Sequence, residues 1–346
     1  MEKSKVLLIY TGGTIGMIED PETGALMAFD FDHLSDQIPE LSRINADLKV
    51  VSLGMPIDSS DMNPDIWQDI AQKVVDNYED FDGFVVLHGS DTMAYTASAL
   101  SFLLQGLQKP VILTGSQLPI GTIRTDGKEN LITSIEIAAS KDQQGESIIQ
   151  EVAIYFEYSL YRGNRTTKIS AHAFEAFISP NYLDLALAGV DIRYNTSAFY
   201  RSNLPQLEPK FKMDRRVALM KIFPGFSTEV YRSMFNTDHA KAIVLESFGS
   251  GNTPNNSLFF ELIKEYIEKG GIVINVTQCT SGSVAQGKYA NSTMLNRIGV
   301  VSGGDMTTES AITKIMYLLG NYSDTKEICR LMQVSIVGEI SSFNPL

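Results

Sequence analysis

The sequence predicts an α/β protein of two domains: a larger N-terminal one built on a mostly parallel sheet flanked by helices, and a smaller C-terminal one of the same class. Three observations predict it. Short runs rich in valine and isoleucine alternate with segments of helical apolar spacing, the pattern of strands joined by crossover helices. The chain has 346 residues, more than one hydrophobic core normally serves, and 44% of them are hydrophobic, enough to fill two. Between residues 191 and 216 the alternation lapses, and "DIRYNTSAFYRSNLPQLEPKFKMDRR" offers two prolines, many polar residues and no sustained period. The domains are therefore placed at 1–190 and 217–346, with 191–216 as the linker.

Val6–Tyr10 is apolar at consecutive positions, which reads as a strand buried on both faces. Leu48–Leu53, Gly83–Leu87, Val111–Thr114 and Val152–Phe156 read the same way. Asn63-Pro64 opens a helix through Ile66, Trp67, Ile70, Val74, Val75 and Tyr78; Pro64 falls in the first turn, where its missing N–H has no intrahelical acceptor to lose. Asp91-Thr92 opens a second helix that runs to about Leu104. Past the linker, Val217–Ile222, Ala242–Leu245 and Ile272–Val276 read as strands, and Ser257–Glu268 and Glu309–Leu319 as helices, the latter stopped by Gly320.

Composition removes several classes of function. A net charge of -13 opposes a broad phosphate-binding surface, so neither nucleic acid nor an anionic membrane is an expected partner. The run Val6–Tyr10 is too short for a signal-peptide core and is followed by glycines rather than a cleavage site, and no run reaches membrane-spanning length. Cys279 and Cys329 lack the CxxC spacing of a zinc or redox site. These features together predict a soluble cytoplasmic protein. His33, His88, His172 and His239 form no HExxH pair, so no metal is expected, and His88 reads as a packed strand-end residue. No G-x-S-x-G elbow of an ordinary α/β-hydrolase occurs.

In an open parallel sheet, ligands bind beyond the carboxyl ends of the strands. Four loops that follow strands of the first domain are unusually polar: "TGGTIG", "GMPIDSSDM", "HGSDTMAYT" and "YRGNRTTK". The first lacks both the Lys-Ser/Thr pair of a P-loop and the spacing of a dinucleotide turn, so phosphate binding is a weak reading of it. The pooled side chains suit covalent catalysis: Thr14 as a nucleophile, Ser90, Asp91 and Lys168 as a proton relay, and backbone N–H groups as oxyanion donors. Each has a plain structural alternative. Thr14 also suits ordinary turn chemistry, Ser59, Ser60 and Asp61 a helix cap, Asp91 an N-cap, and Lys168 a solvated charge. The functional reading rests on all four loops falling on one sheet edge.

Taken jointly, "TGGTIG", "DSSDM", "HGSDTMAYTASAL", "TGSQLP", "RTDGKENL", "RGNRTTK", "GNTP" and "TQCTSGSV" resemble bacterial L-asparaginases of the cytoplasmic type I class, nearly end to end. The resemblance implies the asparaginase-like two-domain fold and hydrolysis of L-asparagine to L-aspartate and ammonia without a cofactor. By that resemblance Thr14 is the nucleophilic threonine, and Ser90, Asp91 and Lys168 stand at the Thr-Asp-Lys centre. Ser59 and Ser60 match the loop that holds the substrate α-carboxylate, with Asp91 receiving the α-ammonium. Asn252 matches an asparagine supplied by a neighbouring subunit of a homodimer or homotetramer.

Three positions depart from the family. Ser90 replaces a threonine, keeping the hydroxyl but losing the methyl that restricts its rotamer. Ala25 stands where many relatives place a tyrosine that assists the nucleophile. Glu246 stands where some cytoplasmic relatives use an arginine to bind a regulatory asparagine; Gln117 and Cys279 match the remainder of that site, but a carboxylate cannot replace an arginine toward a carboxylate, so regulation is not carried over. The alternative readings are a glutaminase-asparaginase of broader specificity, the amidase subunit of an archaeal tRNA amidotransferase, and a non-catalytic small-molecule binding protein.

Overall fold

In a computed structural model, the protein is described at residues 3–19, 26–28, 38–286 and 290–341. It divides into two compact units, Met1–Pro209 and Lys210–Leu346.

The first unit is organised by an eight-stranded sheet. Its order from one edge is Ile192–Tyr194, Ala186–Ala188, Ser159–Arg162, Val152–Phe156, Val111–Thr114, Gly83–Leu87, Ser4–Tyr10 and Ala46–Ser52. The last five are mutually parallel, and the first three join antiparallel. Gly83–Leu87 and Val152–Phe156 are buried at every position, as their unbroken apolar runs require. Val6, Leu8, Val85, Leu87 and Ile112 share one core with Leu131 and Ile135 of the helix Gly127–Ala139. Alternate residues point to the other face, where Tyr78, just past the helix Pro64–Asp76, stacks on Phe84 with ring centroids 6.0 Å apart.

The chain order sets the position of the site. From the first strand the chain passes to Ala46–Ser52 on one side, then crosses to Gly83–Leu87 on the other. The order therefore reverses between Ser4–Tyr10 and Gly83–Leu87, and the crevice at a parallel sheet's switch point opens beyond those two strand ends.

Four details differ from the sequence reading. The second strand is Ala46–Ser52 rather than Leu48–Leu53, and it is only partly buried because it forms the sheet edge. The expected linker 191–216 contributes Ile192–Tyr194 to the sheet, paired to Ala186–Ala188, and the division between units, at Pro209 and Lys210, falls inside it. "YRGNRTTK" does not leave a parallel strand: it continues the antiparallel strand Ser159–Arg162 through the tight turn Gly163–Arg165 into Thr167–Lys168. Gly320 lies inside the helix Thr308–Asn321 instead of ending it. A Cβ there would come within 2.5 Å of the Lys212 carbonyl oxygen, so this glycine serves a close backbone approach.

The second unit has a four-stranded parallel sheet ordered Val217–Lys221, Ala242–Ser247, Ile272–Thr277 and Val301–Ser302. Its core joins Met220, Ile243, Leu245 and Val273 to Phe259, Ile263 and Tyr266 of the helix Ser257–Glu268.

Candidate active site

Two strand ends create the site. Thr11 donates its backbone N–H to the Leu87 carbonyl at 3.1 Å, and the Thr11 carbonyl accepts from Ile57 N–H at 2.8 Å, so three polar loops are tied together at their roots. The turn that follows requires glycine. Gly12 and Gly13 have φ of 130° and 84°, and a Cβ on Gly13 would lie 2.5 Å from the Gly89 nitrogen. The loop carrying Thr14 thus rests directly on the loop carrying Ser90 and Asp91. Thr14 begins a single tight turn, Thr14–Gly16, and is partly buried.

Lys168 joins the constellation from the antiparallel side. Its Nζ donates to Ser90 Oγ at 2.8 Å and to Asp91 Oδ1 at 2.6 Å. The strand Thr167–Lys168 is pinned to Phe177–Ile178, and the preceding strand is anchored by a buried ion pair, Arg162 to Glu151 at 2.6 Å. Asp91 is not the cap of the helix Met93–Leu103; that position belongs to Thr92, and the Asp91 carboxylate is engaged by Lys168. Thr92 Oγ1 instead donates to the Ser59 carbonyl at 2.6 Å, which draws the Ser59 loop to the same place. Ser59 is buried against Gly89, where an added Cβ would meet Ser59 Oγ at 2.6 Å.

Ser60 behaves differently from Ser59. Its hydroxyl donates to Asp58 Oδ1 at 2.9 Å and its N–H to the same oxygen at 2.8 Å, so Asp58 caps this turn and accepts the Ser60 hydroxyl hydrogen bond. The helix Pro64–Asp76 is capped by Asn63, not by Ser59, Ser60 or Asp61.

His88, fully buried, supports the Ser90 loop from beneath. Its Nδ1 lies 2.6 Å from the Gly89 carbonyl oxygen, which can only accept, so that nitrogen carries the hydrogen. Nε2 then accepts from Thr96 Oγ1 at 2.9 Å, and Thr96 accepts from Trp67 Nε1 at 3.0 Å. Burial lowers the His88 pKa to about 4, which keeps the ring neutral. This is the packed histidine the sequence suggested, and among the described residues no group of three or more His, Cys, Asp or Glu side chains could hold a metal.

Gln117 falls within this constellation: Ser90 Oγ donates to its Oε1 at 3.2 Å. The family resemblance puts it with Cys279 in a regulatory site, and the sequence assigns no role to Asp126 or Asn130. Asp126 is buried and accepts from the backbone N–H groups of Gln117 and Leu118, while Asn130 Nδ2 reaches both Asp126 and the Gly115 carbonyl. The signal was available as an Asp and an Asn four apart at a helix start, a spacing that puts both on one face.

The remaining candidates lie in the second unit, at the carboxyl ends of its strands. Asn252 closes a tight turn after Ala242–Ser247, with its N–H donating to the Phe248 carbonyl at 2.8 Å. Cys279 is exposed beyond Ile272–Thr277, and its N–H donates to Thr277 Oγ1 at 3.0 Å. Glu246 is buried and engaged within its own unit, by Thr308 Oγ1 at 2.7 Å and Lys221 Nζ at 3.1 Å. Ala25 lies outside the described residues.

Hydroxyl, carboxylate and ammonium groups gathered at the switch point of a parallel sheet are the equipment of an α/β hydrolytic enzyme that works through side-chain oxygens. The family profile "Asparaginase, N-terminal" matches residues 5–200, and "Glutaminase/Asparaginase C-terminal domain" matches residues 216–332. L-asparaginase 1 of Escherichia coli (strain K12) is 41% identical over 345 residues, which covers 99% of each chain. The crystal structure of L-asparaginase I from Vibrio cholerae O1 biovar eltor str. N16961 superposes with a TM-score of 0.87 at 36% identity, covering 98% of this chain and all of that one. The thermostable L-asparaginase from Thermococcus kodakarensis gives 0.89 at 30% identity over the same shares. The chain belongs to the asparaginase family.

Proposed function

We propose that this protein hydrolyses L-asparagine to L-aspartate and ammonia, with Thr14 as nucleophile and Ser90, Asp91 and Lys168 as its proton relay. The observation that carries this reading is Lys168 Nζ held between Ser90 Oγ and Asp91 Oδ1, at 2.8 and 2.6 Å, on a loop whose Gly89 lies against the glycine turn that bears Thr14. Full-length similarity to L-asparaginase 1 supports the same substrate.

The chemistry follows from the groups present. The second oxygen of Asp91, whose side chain is 72% exposed, is free to receive the substrate α-ammonium while Oδ1 stays with Lys168. The Ser59 loop receives the α-carboxylate. Thr14 Oγ forms a bond to the side-chain amide carbon, its proton passes into the relay, and the C–N bond breaks as the departing nitrogen takes a proton to leave as ammonia. Water then adds to the acyl-threonine, releasing aspartate and returning the hydrogen to Thr14. Water is the only co-reactant this balance needs.

Two finer features belong to the same proposal. The active assembly is a homo-oligomer in which Asn252 of a second copy completes each site. The protein resides in the cytoplasm, in keeping with the type I resemblance and with a set of described helices none of which is long and apolar enough to cross a membrane.

Ammonia release from L-asparagine, L-glutamine and D-asparagine over a concentration series tests the reading. Release is expected to be fastest from L-asparagine. Thr14→Ala is expected to lower it by about 10³-fold or more with an unchanged thermal midpoint, because the loop tip supplies a nucleophile and little core volume. Comparable turnover by the two proteins refutes the assignment.

A further inference from the structure

Ser90 is held from two sides. Lys168 Nζ donates to its Oγ at 2.8 Å, so the hydroxyl hydrogen is left to point elsewhere, and it points to Gln117 Oε1 at 3.2 Å. The Gln117 carboxamide is not free to reverse. Its Nε2 donates to the Ala173 carbonyl at 2.8 Å, which fixes the oxygen end toward Ser90.

Gln117 is itself bolted down. Its backbone N–H is shared by the two Asp126 oxygens at 3.1 and 2.9 Å, and Leu118 N–H reaches Asp126 Oδ1 at 3.1 Å. The Leu118 carbonyl accepts from the hydroxyls of Ser116, at 2.6 Å, and Thr125, at 3.1 Å. Asn130, fully buried, ties Asp126 to the Gly115 carbonyl and accepts Glu157 N–H on its Oδ1 at 3.0 Å. A loop tied by this many hydrogen bonds to buried Asp126 and Asn130 holds one geometry.

Serine has no β-branch, so its own side chain leaves χ1 free among three staggered wells. Something outside the residue must choose the well that places Oγ on Lys168. We propose that Gln117 is the positioning residue for Ser90, fixing through its Oε1 the rotamer and hydroxyl direction that a branched side chain would fix for itself. The inference rests on the reading of Ser90 as a relay member. Gln117 does not touch the reacting atoms in this role; it acts through Ser90, and Asp126 and Asn130 act through it.

The test is a double-mutant cycle with kcat and KM for L-asparagine measured on the full-length protein. Gln117→Met keeps side-chain length and removes both hydrogen-bonding ends. It is expected to lower kcat about tenfold, the effect of one lost hydrogen bond, with KM little changed. Ser90→Thr supplies the branch, so adding Gln117→Met to Ser90→Thr is expected to leave kcat within about twofold of Ser90→Thr alone, a clear failure of additivity. That rescue also separates positioning from damage to the fold, which a threonine at this site would not repair. An unchanged kcat in Gln117→Met, a change confined to KM, or the same loss in both backgrounds overturns the proposal. Ser90→Ala separates it from the reading beneath it. If Ser90→Ala keeps full activity, the relay assignment fails and this inference with it; if Ser90→Ala loses activity while Gln117→Met does not, this inference alone fails.

Discussion

The Lys168 side chain is 14% exposed and that of Asp91 72%, although their charged atoms are 2.6 Å apart. The lysine is therefore the inner member of the pair and the carboxylate faces the space a substrate would occupy. That asymmetry divides their work: Asp91 can meet an incoming ammonium, whereas among the described residues Lys168 donates to Ser90 and Asp91. Lys168→Met keeps most of the side chain's volume and removes its hydrogen bonds to both. It is expected to slow the single-turnover rate by about 10²-fold or more, the usual effect of losing a positioned proton-transfer group, while the substrate dissociation constant changes far less. The opposite split, a large rise in that constant with an unchanged chemical step, would make Lys168 a binding residue. At this scale the sequence was informative about residue type and uninformative about partners. Thr14, Ser90, Asp91 and Lys168 were legible because a glycine turn and polar loops after apolar strands stand out from their surroundings. The Ser60 hydroxyl bonded to Asp58, and Gln117 turned toward Ser90, were not, because a side chain's hydrogen-bond partner is chosen by tertiary geometry.

Elements were legible in proportion to how fully they are buried. Gly83–Leu87 was identified with its observed bounds because all five positions are apolar and enclosed. Ile192–Tyr194 and Ser159–Arg162 carry Arg193, Ser159 and Arg162, show no apolar run, and owe their strand form to antiparallel pairing with the strands that precede them. The hairpin of Val152–Phe156 with Ser159–Arg162 has a further peculiarity. Its two-residue turn, Glu157 and Tyr158, has φ of 43° and 69°, a left-handed pair that asparagine or glycine normally fills. It is held by Asn130 Oδ1 on Glu157 N–H and by Ala188 N–H on the Tyr158 carbonyl. Partial burial, with the negative charges of Asp126, Glu129 and Glu175 adding to it, raises the Glu157 carboxyl to about 7. The folded protein thus binds this proton more tightly than the unfolded chain, whose glutamate titrates near 4.5. The resulting stabilisation is present in full below about pH 4.5 and is lost as pH rises through about 7. Glu157→Gln removes the titration. Its thermal midpoint relative to wild type is expected to be higher at pH 8 than at pH 5, and an equal difference at the two pH values would show that Glu157 does not titrate in this way.

Across the whole molecule, the residues assigned to one reaction are distributed over two units: Thr14, Ser59, Ser90, Asp91 and Lys168 belong to the first, and Asn252 to the second. Asn252 Oδ1 is buried without a hydrogen-bond partner among the described residues. If each site borrows Asn252 from a second copy, two proteins that are each defective can repair one another. Thr14→Ala lacks the nucleophile but still lends Asn252; Asn252→Ala keeps the nucleophile but lends nothing. Unfolded together in equal amounts and refolded, they form statistical pairs of which half are mixed. Each mixed pair has one site with both defects and one with neither, so activity is expected to return to about a quarter of wild type for a dimer. Refolding each variant alone gives the baseline. Activity in the mixture no greater than the average of the two baselines would place the working Asn252 in the same chain as Thr14, and a rise to about a quarter would require a site shared between copies.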